Sequence, residues 1–261
     1  MDLIDTHCHL TFGQLAGDLE GVLERSAAAG VRRWITVGTD AGENVKAVEL
    51  ARRYENVYAA VGVHPHEAKD AREDTFAQLG AFAREAKVVA IGETGLDFHY
   101  DFSPRDVQKE VFVRQIEIAS ETGLPLIVHS REAFDETAGI LDKYGGGLKK
   151  VVYHCFSGGV DEAKELLEKG YYVSFTGVVT FRNAGAIREA AKFVGVERMM
   201  LETDCPYMSP EPVRKEKTNE PAFMVHTARF IAELKGVSAE ELAEAVTRTS
   251  EEFFGLGGRE G

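Results

Sequence analysis

The sequence predicts an α/β fold, a (β/α)8 TIM barrel forming a single domain over residues 1–261, and three observations predict it. Short runs rich in β-branched and other apolar residues recur eight times along the chain. Between most of them lie longer segments with helical periodicity, so strand and helix alternate throughout. Several strand runs, Val-Val-Ala-Ile (88–91), Leu-Ile-Val (126–128) and Met-Met-Leu (199–201), are apolar on successive residues. That pattern suits strands of a parallel sheet buried on both faces, which helices must then cover. Eight such units in 261 residues match a closed barrel better than an open doubly wound sheet.

Taken in order, the predicted strands and the helical segments that follow them are 2–6 and 17–29, 32–37 and 41–53, 57–63 and 74–86, and 88–92 and 104–122. The second half continues with 125–129 and 131–143, 150–154 and 160–169, 171–175 and 183–194, and 198–203 with two helices, 220–235 and 239–255. Gly-Gly-Gly at 145–147 reads as a helix stop ahead of the sixth strand. No low-complexity or Gly/Ser linker interrupts the alternation.

Hydrophobic content of 44% and charged content of 28% are those of an ordinary globular domain with a large core. The formal charge of −13 argues against a protein that coats duplex DNA with a broad basic face, since such binding neutralises many phosphates with Lys and Arg. Any nucleic-acid contact must be local, with bound cations adding positive charge that a count of side chains omits. Cys8, Cys155 and Cys205 are odd in number and lack the spacing of a disulfide framework or zinc ribbon, which fits a reducing compartment. There is no leader-like start and no apolar run of membrane-spanning length, so the expectation is a cytoplasmic protein with no membrane partner.

The ends of the apolar strands carry His, Glu and Asp rather than turn residues. Strand one ends in His7 and His9, strand three in His64, strand four in Glu93, strand five in His129, strand six in His154 and strand eight in Asp204. In a parallel barrel all C-terminal strand ends lie on one face, where enzymes of this fold place their chemistry, so these groups are expected to meet there. His7 and His9, two apart on a strand, point to the same side. Burying six polar groups, His7, His9, Glu93, His129, His154 and Asp204, at a barrel mouth is costly without a cation to satisfy them. Mixed imidazole and carboxylate donors suit Zn, Mn, Fe or Co, while Mg prefers oxygen. Six ligands exceed one tetrahedral site and match two divalent ions sharing a carboxylate, with Glu93 as the candidate bridge. Asp204, in Leu-Glu-Thr-Asp-Cys-Pro (201–206), can bind an ion and accept the proton of an attacking water. A helix cap or Asx turn before Pro206 is the alternative reading of Asp204, and the two roles are compatible.

These residues sit in seven ordered segments: Ile-Asp-Thr-His-Cys-His-Leu (4–10), Gly-Val-His-Pro-His (62–66), Ile-Gly-Glu-Thr-Gly-Leu-Asp (91–97), Pro-Leu-Ile-Val-His-Ser-Arg (125–131), His-Cys-Phe-Ser-Gly (154–158), Glu-Thr-Asp-Cys-Pro-Tyr (202–207) and Asn-Glu-Pro (219–221). In this series the chain closely resembles the TatD family of metal-dependent deoxyribonucleases from end to end. The resemblance implies His7, His9, Glu93, His129, His154 and Asp204 as ligands of two divalent ions (Zn, Mn or Mg), and His64 in the same pocket against the substrate phosphate. It also implies a DNA substrate, single-stranded or at ends, trimmed in the 3′ to 5′ direction.

Further contacts are expected around that site. Arg131 is placed at the start of the helix after strand five, either binding a phosphoryl oxygen or simply solvated. Arg214, Lys215 and Lys217 in the 212–221 loop are either phosphate contacts or an exposed charge run. Asn219 and Glu220 are candidate caps for the following helix. His99 either faces substrate, with Phe98 or Tyr100 as a stacking surface, or packs its loop, and His66 is read in the same two ways. The three cysteines each adjoin a candidate ligand and so point the other way, as small buried hydrophobes. Two other functions compete with the nuclease reading. One is an amidohydrolase or esterase on a small metabolite or aminoacyl ester, which the carboxylate at Glu93, in place of a modified lysine, disfavours. The other is a non-catalytic binding protein, which would have no need of the complete ligand set.

Overall fold

The computed structural model describes residues 1–256. Eight strands form one sheet in the order β1-β2-β3-β4-β5-β6-β7-β8: Leu3–Cys8, Val31–Val37, Val57–Val61, Val88–Asp97, Leu126–Arg131, Val151–Tyr153, Tyr172–Phe175 and Met199–Leu201. The helices are α1 (Gly13–Ala16), α2 (Leu19–Ala29), α3 (Ala41–Arg53), α4 (Glu73–Phe82), α5 (Arg105–Thr122), α6 (Phe134–Tyr144), α7 (Val160–Glu168), α8 (Gly185–Phe193), α9 (Met224–Lys235) and α10 (Ala239–Phe254). Parallel pairing with sequential order and a helix after every strand is the (β/α)8 arrangement expected. None of the helices described is long and apolar enough to cross a membrane.

Internal contacts group the chain into two compact units, Met1–Thr36 with the chain from Cys155 onward, and Val37–His154. In the first unit all six residues of β1 are buried, including Asp5, Thr6 and His7. Their polar atoms are answered by the segment after β8. Asp5 accepts from Thr203 N at 2.9 Å and Thr203 Oγ1 at 2.5 Å, and Thr6 Oγ1 donates to Leu201 O at 3.1 Å. Backbone bonds Asp204 N to His7 O and His9 N to Cys205 O, both 2.9 Å, continue the same seam. Burial pushes the Asp5 carboxyl up to about 7 even though Thr203 opposes the shift.

In the second unit β4 runs ten residues, all buried, and does not stop at residue 92. The ladder with β5 continues through Gly95 opposite His129 and Asp97 opposite Arg131. Gly95 has φ +135°, and a Cβ there would lie 2.0 Å from His129 O, so only glycine lets the two strands approach at that pair. Two buried glutamines of α5 pin the polar strand ends. Gln115 Oε1 accepts from Val63 N at 2.8 Å while its Nε2 donates to Val63 O and Thr94 Oγ1. Gln108 Oε1 accepts from Asp97 N, and its Nε2 donates to Asp97 O and Ser103 O. Buried amides of this kind satisfy backbone groups where the ladder ends, and so fix the residues beside them.

Candidate metal centres

In the first unit the seam between β1 and the segment after β8 brings His7, His9 and Asp204 together, with ligand atoms within 4.8 Å of one another. Asp204 Oδ1 lies 3.3 Å from His9 Nε2 and 3.8 Å from His7 Nε2. Both imidazoles are buried, and the Asp204 side chain is 13% exposed, so a ligand can reach it from solvent. Asp204 adopts φ +50°, a left-handed conformation that Asp tolerates, and its carbonyl accepts from Tyr207 N at 3.1 Å. The turn around Pro206 is thus closed by the Asp204 backbone carbonyl, and its carboxylate faces the two histidines.

In the second unit three imidazoles converge on one carboxylate oxygen. Glu93 Oε1 lies 2.7 Å from His154 Nε2, 2.9 Å from His129 Nδ1 and 3.3 Å from His64 Nε2. His129 Nδ1 and His154 Nε2 face each other at 3.3 Å. Ring nitrogens gathered around an anionic oxygen, all but dry, are the donor set of a borderline divalent cation. Ligand atoms of His64, Glu93 and His129 also lie within 4.8 Å of one another.

Both ring nitrogens of His129 face carboxylates, Nε2 at 3.0 Å from Asp97 Oδ2 and Nδ1 at 2.9 Å from Glu93 Oε1, so an ion held at Nδ1 would leave the ring proton on Nε2, bonded to Asp97. His64 turns its other nitrogen, Nε2, toward Glu93. Its Nδ1 accepts from His66 N at 3.1 Å, so a neutral ring carries its proton on Nε2. Burial lowers the His64 pKa to about 4, with Glu93 pulling the other way, which keeps the ring neutral. His129 is raised instead, since burial is outweighed by Asp97 and Glu93. Asp97 itself is buried, which would raise it, yet its bonds to His129 and His66 hold it well below the usual carboxylate range.

Asp97 is the functional residue that strand-end reasoning missed. It closes the 91–97 segment, and its spacing of four from Glu93 along a strand was the available signal, because even spacing shares a face. The same rule finds Asp5 behind His7, and Glu202 two residues before Asp204. Glu202 is buried and accepts from Cys155 N and Ser174 Oγ, each at 2.6 Å. His66 gains a defined partner, with Nε2 3.0 Å from Asp97 Oδ2. Changing Asp97 to Asn should lower metal affinity or turnover about 10–100-fold, the usual effect of losing a carboxylate that orients a ligand imidazole. Metal titration of the variant, followed by calorimetry beside steady-state kinetics, checks this.

The remaining expected contacts are more dispersed. Arg131 does not start a helix. It is the last residue of β5, because pairing with Asp97 extends the ladder, and α6 begins only at Phe134. Its guanidinium lies 4.7 Å from the centre of the Tyr100 ring. His99 Nδ1 is 2.6 Å from Glu132 Oε1, on an exposed loop. Lys217 is exposed in the loop of the first unit, where Arg214 sits 3.7 Å over the Phe181 ring. Asn219 caps no helix. Its Nδ2 donates to Thr203 O and Tyr207 O, bracing the segment that carries Asp204. Glu220 occupies the cap position before Pro221 without a side-chain cap bond, and pairs with Arg25 at 2.8 Å. Cys8 and Cys205 are buried as expected, whereas Cys155 is only half-buried, and all three are free thiols.

Comparison with known proteins identifies the family. The family described as TatD related DNase matches residues 4–255. YabD of Bacillus subtilis (strain 168), described as an uncharacterized metal-dependent hydrolase, is 42% identical over 252 residues, covering 97% of this chain and 98% of that protein. A 3′-5′ ssDNA/RNA exonuclease TatD from Citrobacter rodentium (strain ICC168) is 36% identical over 258 residues, covering 97% of this chain and 98% of its own. The crystal structure of YjjV, a TatD homolog from Escherichia coli K12, superposes with a TM-score of 0.92 at 32% identity, covering 97% of this chain and 98% of that one. With a family match from the first strand to the last helix, and relatives of this identity over nearly the whole length, the chain belongs to the TatD-related DNase family of metal-dependent hydrolases.

Proposed function

We propose that the chain hydrolyses phosphodiester bonds of nucleic acid, removing nucleotides from the 3′ end of single-stranded DNA, with two divalent ions per chain. The observation that carries this reading is the pair of imidazole and carboxylate clusters on and just after the strands, His7/His9/Asp204 and Glu93/His129/His154. Each offers a mixed nitrogen and oxygen donor set suited to Zn or Mn, and to Mg less tightly. Divalent ions held there would lower the pKa of a water and neutralise charge developing on the phosphoryl oxygens.

The chain's own groups then have separable roles. Asp204, partly open to solvent and facing His7 and His9, is the acceptor for the proton of the attacking water. Glu93 gathers the ring nitrogens of the second cluster and supplies negative charge that offsets the cation. Asp97 fixes the His129 tautomer. His64, neutral and carrying its proton on Nε2, is a hydrogen-bond donor for a non-bridging phosphoryl oxygen rather than a ligand. Donation from a neutral group suits this position, because an imidazolium would compete with the cations for Glu93.

Product mapping tests the proposal. A single-stranded oligonucleotide labelled at its 5′ end should shorten stepwise from the 3′ end, while a blunt duplex is cut more slowly and a panel of amides and carboxylic esters is left intact. Turnover of the ester or amide panel at rates above those on DNA would overturn it.

A further inference from the structure

Six large apolar side chains among the described residues are well exposed, and two of them, Tyr100 at 45% and Phe102 at 56%, stack on each other in the loop after β4. Their ring centres are 5.3 Å apart and their planes 21° from parallel. A loose loop would not hold such a pair, but this one is pinned along its length. Asp97 Oδ1 accepts from His99 N at 3.0 Å and from Tyr100 N at 2.9 Å. Lys69 Nζ donates to Phe102 O at 3.0 Å, and Ser103 Oγ donates to His66 O at 2.7 Å while accepting from Lys69 N. These bonds fix the backbone that carries the exposed rings, so part of the loop's conformational entropy is already lost before anything binds.

Their inner edges connect to the second cluster. The His66 ring meets Phe102 edge-on at 4.7 Å and Tyr100 at 5.4 Å, His66 Nε2 bonds Asp97 Oδ2, and the same oxygen holds His129. The rings therefore stand three contacts away from His129, a candidate metal ligand. The Arg131 guanidinium lies over the Tyr100 ring, 4.7 Å from its centre, so it takes up part of that ring's π surface, leaves Phe102 as the more open ring, and brings a positive charge to the pair. A flat, water-facing aromatic step with a cation beside it matches an unpaired nucleobase attached to its phosphate, because every base presents a π face and carries a neighbouring negative charge. Bases in a duplex already spend both faces on their neighbours and cannot use it.

We infer that Tyr100 and Phe102 form a stacking platform for one unpaired base of the substrate strand, with Arg131 contacting its phosphate. This rests on the phosphodiesterase reading above and adds the element that recognises a single strand. The platform reads base planarity and not base identity, so it confers little sequence preference.

The test compares a normal single-stranded oligonucleotide with one whose last three 3′ nucleotides are abasic tetrahydrofuran residues, using wild type, Phe102→Ala, Phe102→Leu and Tyr100→Ala. Because Phe102 is more than half exposed, its substitution leaves the core untouched, and thermal melting verifies this. The quantity read is the ratio of kcat/KM on the normal strand to that on the abasic strand. Stacking of a base on an aromatic side chain predicts that this ratio falls by roughly 5- to 150-fold in Phe102→Ala. A ratio left at the wild-type value, or restored in full by Phe102→Leu, overturns the platform while leaving the nuclease activity standing. Wild-type protein that cuts neither strand overturns both readings together.

Discussion

Glu93→Ala is expected to lower turnover on single-stranded DNA by on the order of 10³-fold or more, because it removes the one carboxylate on which three imidazoles converge. The loss should come with reduced metal content and not with unfolding. Glu93 is a polar position within β4, and the aliphatic residues that pack the core, such as Ile91, Leu96 and Ile116, are untouched by the change. Glu93→Gln is the informative companion. It keeps shape and hydrogen-bonding capacity while deleting charge, so a loss close to that of alanine assigns the effect to electrostatics. Steady-state kinetics with metal analysis of each purified variant checks both, and wild-type turnover in Glu93→Ala would remove this residue from the account.

Asp204→Asn is expected to lower kcat by about 10²- to 10⁴-fold, the range for loss of a positioned proton acceptor. The substitution is clean for a backbone reason. Asp204 sits at φ +50°, which Asn adopts as readily as Asp, and its backbone bond to His7 O needs no carboxylate. A fall in kcat with the melting temperature unchanged therefore reports on charge and proton transfer. An equal fall in both would point to a bracing role, like that of Asn219 with its bonds to Thr203 and Tyr207.

Much of the fold was legible because its signals are local. The segment 41–53 matches α3 at both ends, since Asp40 caps it with bonds to Gly42 N and Glu43 N and two arginines close its last turn. Short runs rich in β-branched and apolar residues locate all eight strands, and those at 88–91, 126–128 and 199–201 are apolar on successive residues. Errors concentrate where polar residues were read as strand ends. β4 continues to Asp97 and β5 to Arg131, because buried glutamines of α5 and two glycines at positive φ let the ladder run through Glu-Thr-Gly-Leu-Asp. That is a tertiary effect, and no window of five residues contains it.

The candidate site divides the same way. His7, His9 and Asp204 were found from strand position, and the structure brings them within ligand range of each other. Glu93, His129 and His154 likewise gather around one oxygen. The carboxylates beside them escape a strand-end reading: Asp97, Asp5 and Glu202 share even spacing with a ligand, but their partners come from segments that fold onto them. His64 shows the limit of residue type alone: imidazole names a ligand as easily as a donor, and only the His66 amide on Nδ1 distinguishes the two. Phe102 was invisible to pattern reasoning because exposure of an aromatic residue is a property of the folded loop.

Central to the proposed function is that these side chains bind divalent cations the reaction requires. The most direct test is a metal titration into chelator-treated protein while nucleotide release from a single-stranded oligonucleotide is followed. Activity should be below detection in the stripped protein and restored by Mn or Zn with saturation near two ions per chain. Undiminished activity after complete removal of divalent ions would contradict it.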